Sequence, residues 1–99
     1  MITHVRTAVA QSGKSLELVA LAKEMAEIVS RVTGTKTEIA TRFGHNANEV
    51  AWISHPESLA QLEGNMAKLM GDGDYRNGLK KFEHLVVSGM THDHIWRRL

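Results

Sequence analysis

His4 and Arg6 stand two residues apart in a segment rich in valine and threonine, Ile2 to Gln11. In an extended chain such residues share a face. An arginine offers a fixed cation and a planar fork suited to a carboxylate or enolate oxygen. A histidine gives or takes a proton near neutral pH. His4 and Arg6 are therefore the candidate catalytic pair, fitted to bind a small acidic molecule and move a proton. The competing reading is structural. A buried arginine usually has an ionic partner, and Glu38 and Glu49 are the expected ones. Further along, His92-Asp93-His94 sets two imidazoles on one face of an extended segment. That spacing holds a metal only if a third ligand arrives, such as His4 or His84. No metal site is predicted from so short a pattern, and His92 and His94 are its only weak candidates. The bland alternative has Asp93 pairing one of these two histidines. Trp52, His84 and Trp96 complete the set as candidate ligand-binding residues. The tryptophans can wall a pocket for an aromatic or isoprenoid-like molecule. They serve equally as anchors of a subunit interface, where aromatic residues are enriched.

Composition narrows the chemistry. The chain has 99 residues, 42% of them hydrophobic and 23% charged, with a formal net charge of +1. That length predicts one domain spanning 1–99. A charge so near neutral argues against a protein that neutralises nucleic-acid phosphates. The absence of cysteine excludes disulfides, thiol catalysis, iron–sulfur clusters and cysteine zinc sites. No apolar run reaches the ~18 residues of a membrane span, and Met1-Ile2-Thr3-His4 does not read as a signal peptide. A cytoplasmic protein with no membrane partner is expected. Gly71-Asp72-Gly73-Asp74 places two acids where a phosphate loop needs none, and it lacks the span and closing glutamate of a calcium loop. No serine sits in a nucleophile-elbow context.

The elements that must position these residues follow from periodicity. Ile2–Gln11 reads as a strand. Thr3, Val5, Thr7 and Val9 form one face; Ile2, His4, Arg6, Ala8 and Ala10 form the other. After Ser12-Gly13-Lys14, Ser15 is the expected N-cap. Leu18, Ala22, Met25, Val29 and Val32 then form a helical stripe, widened by Leu21 and Ile28. Gly34 is the expected terminator. Thr35–Phe43 alternates as a second strand, Gly44–Asn48 is a turn by composition, and Glu49–Ile53 is a third strand. Ser54 with Glu57 has capping-box spacing, ahead of a stripe of Leu59, Leu62, Met66 and Leu69. Gly71 stops that helix. Asp72-Gly73-Asp74 starts a short third one with Tyr75, Leu79 and Phe82 buried. Leu85–Arg98 reads as a last strand, with a bulge or bend at Gly89.

The order is β-α-β-β-α-β with an extra short helix, the α+β arrangement of ferredoxin-like folds. Two helices would cover one face of a four-stranded antiparallel sheet, leaving the other bare. His4 and Arg6 are expected on the bare face. Trp52 and Trp96 are too large and apolar to leave there uncovered. RNA stacking needs aromatics on the two central strands. Taking those as the first and last strands, the first offers none, so no nucleic acid is expected. A second copy packed face to face is the preferred cover, making a closed barrel with an interior for a small hydrophobic acid. The long last strand can also reach the partner's sheet edge.

His4-Val5-Arg6-Thr7, followed by Ser12-Gly13-Lys14 and a helix, resembles the opening of NIPSNAP-type domains of the dimeric α/β-barrel superfamily. Those domains begin with a strand ending in Arg-Thr and a Pro-Gly-Lys turn. Trp52, Glu57-Ser58-Leu59-Ala60 and Asp74-Tyr75 fall where such domains carry an apolar strand end, a helix start and an Asp turn before an aromatic. The resemblance runs along the whole chain in order. It departs at His4, where a carboxylate is usual, at Ala8, where an aromatic is usual, and at Ser12, where proline is usual. Membership implies a face-to-face homodimer with an interior cavity. It does not imply a reaction. The preferred expectation is a binding or interaction module. The alternative is a cofactor-free or haem-assisted monooxygenase-like enzyme acting on a small hydrophobic acid or a phenol. Haem would need an axial histidine in an apolar pocket, with His84 between Trp52 and Trp96. The Asn, Trp and His set of the haem-degrading branch is incomplete here, and no cofactor is predicted.

Overall fold

A computed structural model describes residues 1–43 and 48–99. Seven elements follow in order: β1 (Ile2–Val9), α1 (Ser15–Thr33), β2 (Thr37–Thr41), β3 (Glu49–Ser54), α2 (Leu59–Met70), α3 (Gly73–Glu83) and β4 (His92–Arg97). The sheet order is β2-β3-β1-β4 and every neighbouring pair is antiparallel. This is the ferredoxin-like order with α3 added, as periodicity predicted. The central strands are β3 and β1. The expectation that the first and last strands are central is corrected, since β4 lies at the edge. Most of the turn predicted at Gly44–Asn48 lies outside the described residues.

Local chemistry explains the boundaries and moves two caps. Gly34 ends α1 at φ 74°, its N–H bonded to the Ser30 carbonyl, a left-handed conformation that favours glycine. Ser15 does not cap. Lys14 holds that position, and the Ser15 hydroxyl instead donates to Asn48 Oδ1 at 2.5 Å. The capping box is also displaced by one turn. Ser54 ends β3, while the Ser58 hydroxyl accepts from Gln61 N at 3.1 Å and Gln61 Oε1 accepts from Glu57 N at 2.6 Å. Asp72 caps α3 by accepting from Tyr75 N at 3.0 Å. The predicted last strand splits in two. Val86 bridges Ala10, a turn at Gly89 (φ 81°) follows, and pairing resumes at His92 opposite Thr7. An unbroken ladder from Ala10 would set Thr7 opposite Gly89, so three residues are looped out.

The helices cover the face that carries Ile2, Ala8 and Ala10, all buried. Small side chains there let α1 approach, and Leu18, Ala22 and Val50 seal one core against Ala8 and Ala10. A second core of Leu21, Met25, Leu69 and Tyr75 lies among the helices. His4 and Arg6 share the Ala8 face by alternation. They therefore look toward the helices, and the expectation that they lie on the bare face is corrected. Gly78 makes room for the Met25 side chain of α1, since a Cβ there would fall 2.0 Å from Met25 Sδ. Among the described residues no helix is long and apolar enough to cross a membrane.

Candidate functional site

Strand register lays out the floor of a cavity. Thr37, Ser54 and His4 form one row across three strands; Ile39, Trp52, Arg6 and Asp93 form the next. Both rows lie on the helix side. Above them α1 contributes Met25 and Val29, α2 contributes Leu62, Asn65, Met66 and Leu69, and α3 contributes Tyr75, Leu79 and Phe82. The space is a cleft of about 100 Å³, partly open to solvent, room for a small ring inside with the rest of a ligand reaching toward the opening. Its walls are mainly apolar. Trp52 is fixed by an edge-on contact with Phe82, centroids 5.7 Å apart, and its indole Nε1 donates to the Ala22 carbonyl at 3.3 Å.

One charged cluster interrupts that wall. Asp93 Oδ1 accepts from Arg6 Nε at 2.8 Å and from His4 Nε2 at 3.0 Å, while Asp93 Oδ2 accepts from Arg6 Nη2 at 3.1 Å. Two parallel bonds between guanidinium and carboxylate fix the orientation of both groups. With Nε2 turned to the carboxylate, Nδ1 is the His4 ring nitrogen left for another partner. Burial alone would push the Asp93 carboxyl up. The hydrogen bond and charge of Arg6, followed by those of His4, outweigh it and hold the carboxyl below the ordinary range. The Asp93 hydrogen bond raises Arg6 above its usual value against burial, and neighbouring Tyr75 adds to the rise.

The structure brings together only part of the sequence-predicted set. His4, Arg6 and Trp52 line the cavity. Arg6 pairs with Asp93 rather than Glu38 or Glu49, and Glu49 pairs with Arg42. Asp93 turns to His4 and Arg6, not to His92 or His94, because adjacent strand residues point to opposite faces. His92 and His94 are exposed on the outer side, across β1 from His4's face. Among the described residues no group of three metal-binding side chains converges. Trp96 lies on that outer side too, opposite Thr3 and 63% exposed. His84 is exposed at the C-cap of α3. Trp52 and Trp96 thus face opposite sides of the sheet, and the pocket expected from Trp52, His84 and Trp96 is not assembled. Sequence reasoning missed Asp93 as the common partner, Tyr75 as a neighbour of Arg6, and Asn65, Thr37 and Ser54 as polar lining.

No family model and no curated protein matches the sequence. Solved structures do match. A NIPSNAP domain protein from Burkholderia xenovorans has a TM-score of 0.85 at 12% identity, covering 100% of this chain and 95% of that one. A NIPSNAP family protein from Agrobacterium tumefaciens has a TM-score of 0.84 at 17% identity, covering 99% and 92%. This chain has the fold of a NIPSNAP-like domain. A Deinococcus radiodurans protein that carries the name of an antibiotic biosynthesis monooxygenase matches with a TM-score of 0.77 at 13% identity, covering 100% and 93%. At these identities the likeness is one of fold. The chemistry of this chain rests on its own side chains.

Proposed function

We propose that this chain is a homodimeric α/β-barrel protein that binds one small, mainly apolar molecule between sheet and helices. The observation that carries the reading is a mainly apolar cavity with one charged cluster, Arg6–Asp93–His4, at its wall. Sites of this kind bury a ligand in apolar surface and orient it with a few polar groups. Asp93 already answers the charge of Arg6. A phenol or ketone oxygen suits such a paired guanidinium better than a full carboxylate does. The ligand expected from sequence, a small hydrophobic acid or phenol, therefore narrows to the phenol class.

The homodimer covers the outer face. Val5, Ile53 and Trp96 share that face with three threonine and alanine neighbours, Thr3, Thr7 and Ala51. Trp96 at 63% exposure is the aromatic anchor such an interface uses. A second reading, a cofactor-free oxygenase, is favoured by His4. Its Nδ1 is available to take a phenolic proton while Asp93 holds the ring.

Native mass spectrometry, before and after addition of para-phenylphenol, tests the first reading. The expected result is a dimer that takes up one phenol per chain. A stable monomer contradicts the dimer, and no uptake contradicts the cavity reading. Oxygen consumption with the same phenol tests the second. Steady uptake lost in His4→Gln supports the oxygenase, and no uptake leaves the binding module.

A further inference from the structure

The polar residues of the cavity are not confined to the Arg6 end. Asn65 is only 8% exposed, yet it stands on the apolar stripe of α2, between Leu62 and Leu69. Its Nδ2 bonds Thr35 Oγ1 at 3.1 Å, and the described residues supply no donor to its Oδ1. Turning the amide changes little, because the Thr35 hydroxyl both donates and accepts. Either way, one end of the amide bonds Thr35 and the other stays free. No fully buried side-chain polar atom among the described residues lacks a partner, so this free end keeps accessible surface, and Asn65 lines the cavity. Thr37 and Ser54 line the same region, and among the described residues their hydroxyls have no side-chain partner. An amide on the apolar stripe of α2 and two strand hydroxyls thus gather at one end of the cavity. Polar groups that the protein leaves unpaired in a cleft are answered by water or by a ligand that reaches them.

We propose that Asn65, with Thr37 and Ser54, forms a second polar subsite, and that the cavity takes planar apolar molecules bearing a hydrogen-bonding oxygen at each end. This rests on the cavity reading above. The row Thr37–Ser54–His4 crosses two strand spacings, about 10 Å. One oxygen meets Arg6 and His4 near β1 and β4; the other meets Asn65 and Thr37 near β2. A ligand with one oxygen leaves one end of the row unanswered.

Calorimetric titration with para-phenylphenol and para,para′-biphenol separates this subsite from the cavity itself. The two probes share a ring system and differ by the distal hydroxyl. The expected result is biphenol binding about tenfold tighter, the effect of roughly one buried hydrogen bond. Asn65→Leu removes that preference, so that the two probes bind alike. Thr37→Val, which deletes one hydroxyl at constant shape, reduces the preference by about half or more and guards against a poorly folded Asn65 variant. Equal affinities in the unmodified protein, or a preference untouched by both variants, overturn the subsite and leave the cavity reading standing. Binding of neither probe overturns both.

Discussion

Asp93 is the residue on which the candidate site turns, and it is the one a linear reading could not find. Its pairing with Arg6 and His4 depends on the β1–β4 register, and that register depends on three residues looped out at the Gly89 turn. Nothing near position 93 in sequence encodes it. Asn65 was more legible, since a polar residue between Leu62 and Leu69 breaks an otherwise apolar stripe. A titration follows from Asp93. Its carboxyl is held below its unfolded value, so the stabilisation is fully present above about pH 4. It is lost as pH falls through the lowered value. Asp93→Asn is expected to flatten that acid limb of the stability curve in chemical denaturation between about pH 2 and 5. Because the Asp93 side chain is 44% exposed, the loss at neutral pH should be about 1 kcal/mol or less. An unchanged acid limb contradicts the pairing. Arg6→Gln is expected to weaken phenol binding about tenfold in the same titration.

At the scale of elements, periodicity located every helix and strand, but caps and faces depended on finer signals. Ser54 and Ser58 both precede the α2 stripe. Only Ser58 has a glutamine three residues on, and that pair forms the turn. Ser58→Ala is expected to cost about 1 kcal/mol in thermal unfolding, with no such capping loss for Ser54→Ala. The face of β1 was also readable in principle. Ala8 and Ala10 mark the side where a helix comes close, and His4 and Arg6 share it. Two glycines test helix packing in opposite directions. A methyl at Gly64 meets nothing within 4 Å, so Gly64→Ala should stabilise by up to about 1 kcal/mol. A methyl at Gly78 collides with the Met25 thioether, which must turn aside, so Gly78→Ala should destabilise by about 1 kcal/mol. Equal shifts in melting temperature would contradict the close approach of α1 and α3.

For the whole molecule, the sheet separates two jobs. Its helix side, open over His4 and Ser54 and sealed over Ala8, holds the cavity. Its outer side, with Val5, Ile53 and Trp96, is the proposed interface. Alternation shows which residues share a face but not which face the helices cover, so it does not separate Trp52 from Trp96. Trp96→Lys is expected to shift the dimer toward monomer in sedimentation while phenol binding per chain survives. The two tryptophans also allow both sides to be watched at once. The most direct measurement is the pair of indole N–H signals in a nitrogen-15 correlation spectrum during titration with para-phenylphenol. The expected result is that the Trp52 signal moves with saturation while Trp96 stays in place. A Trp96 signal that moves while Trp52 does not would put the ligand on the outer face and contradict the cavity as its site.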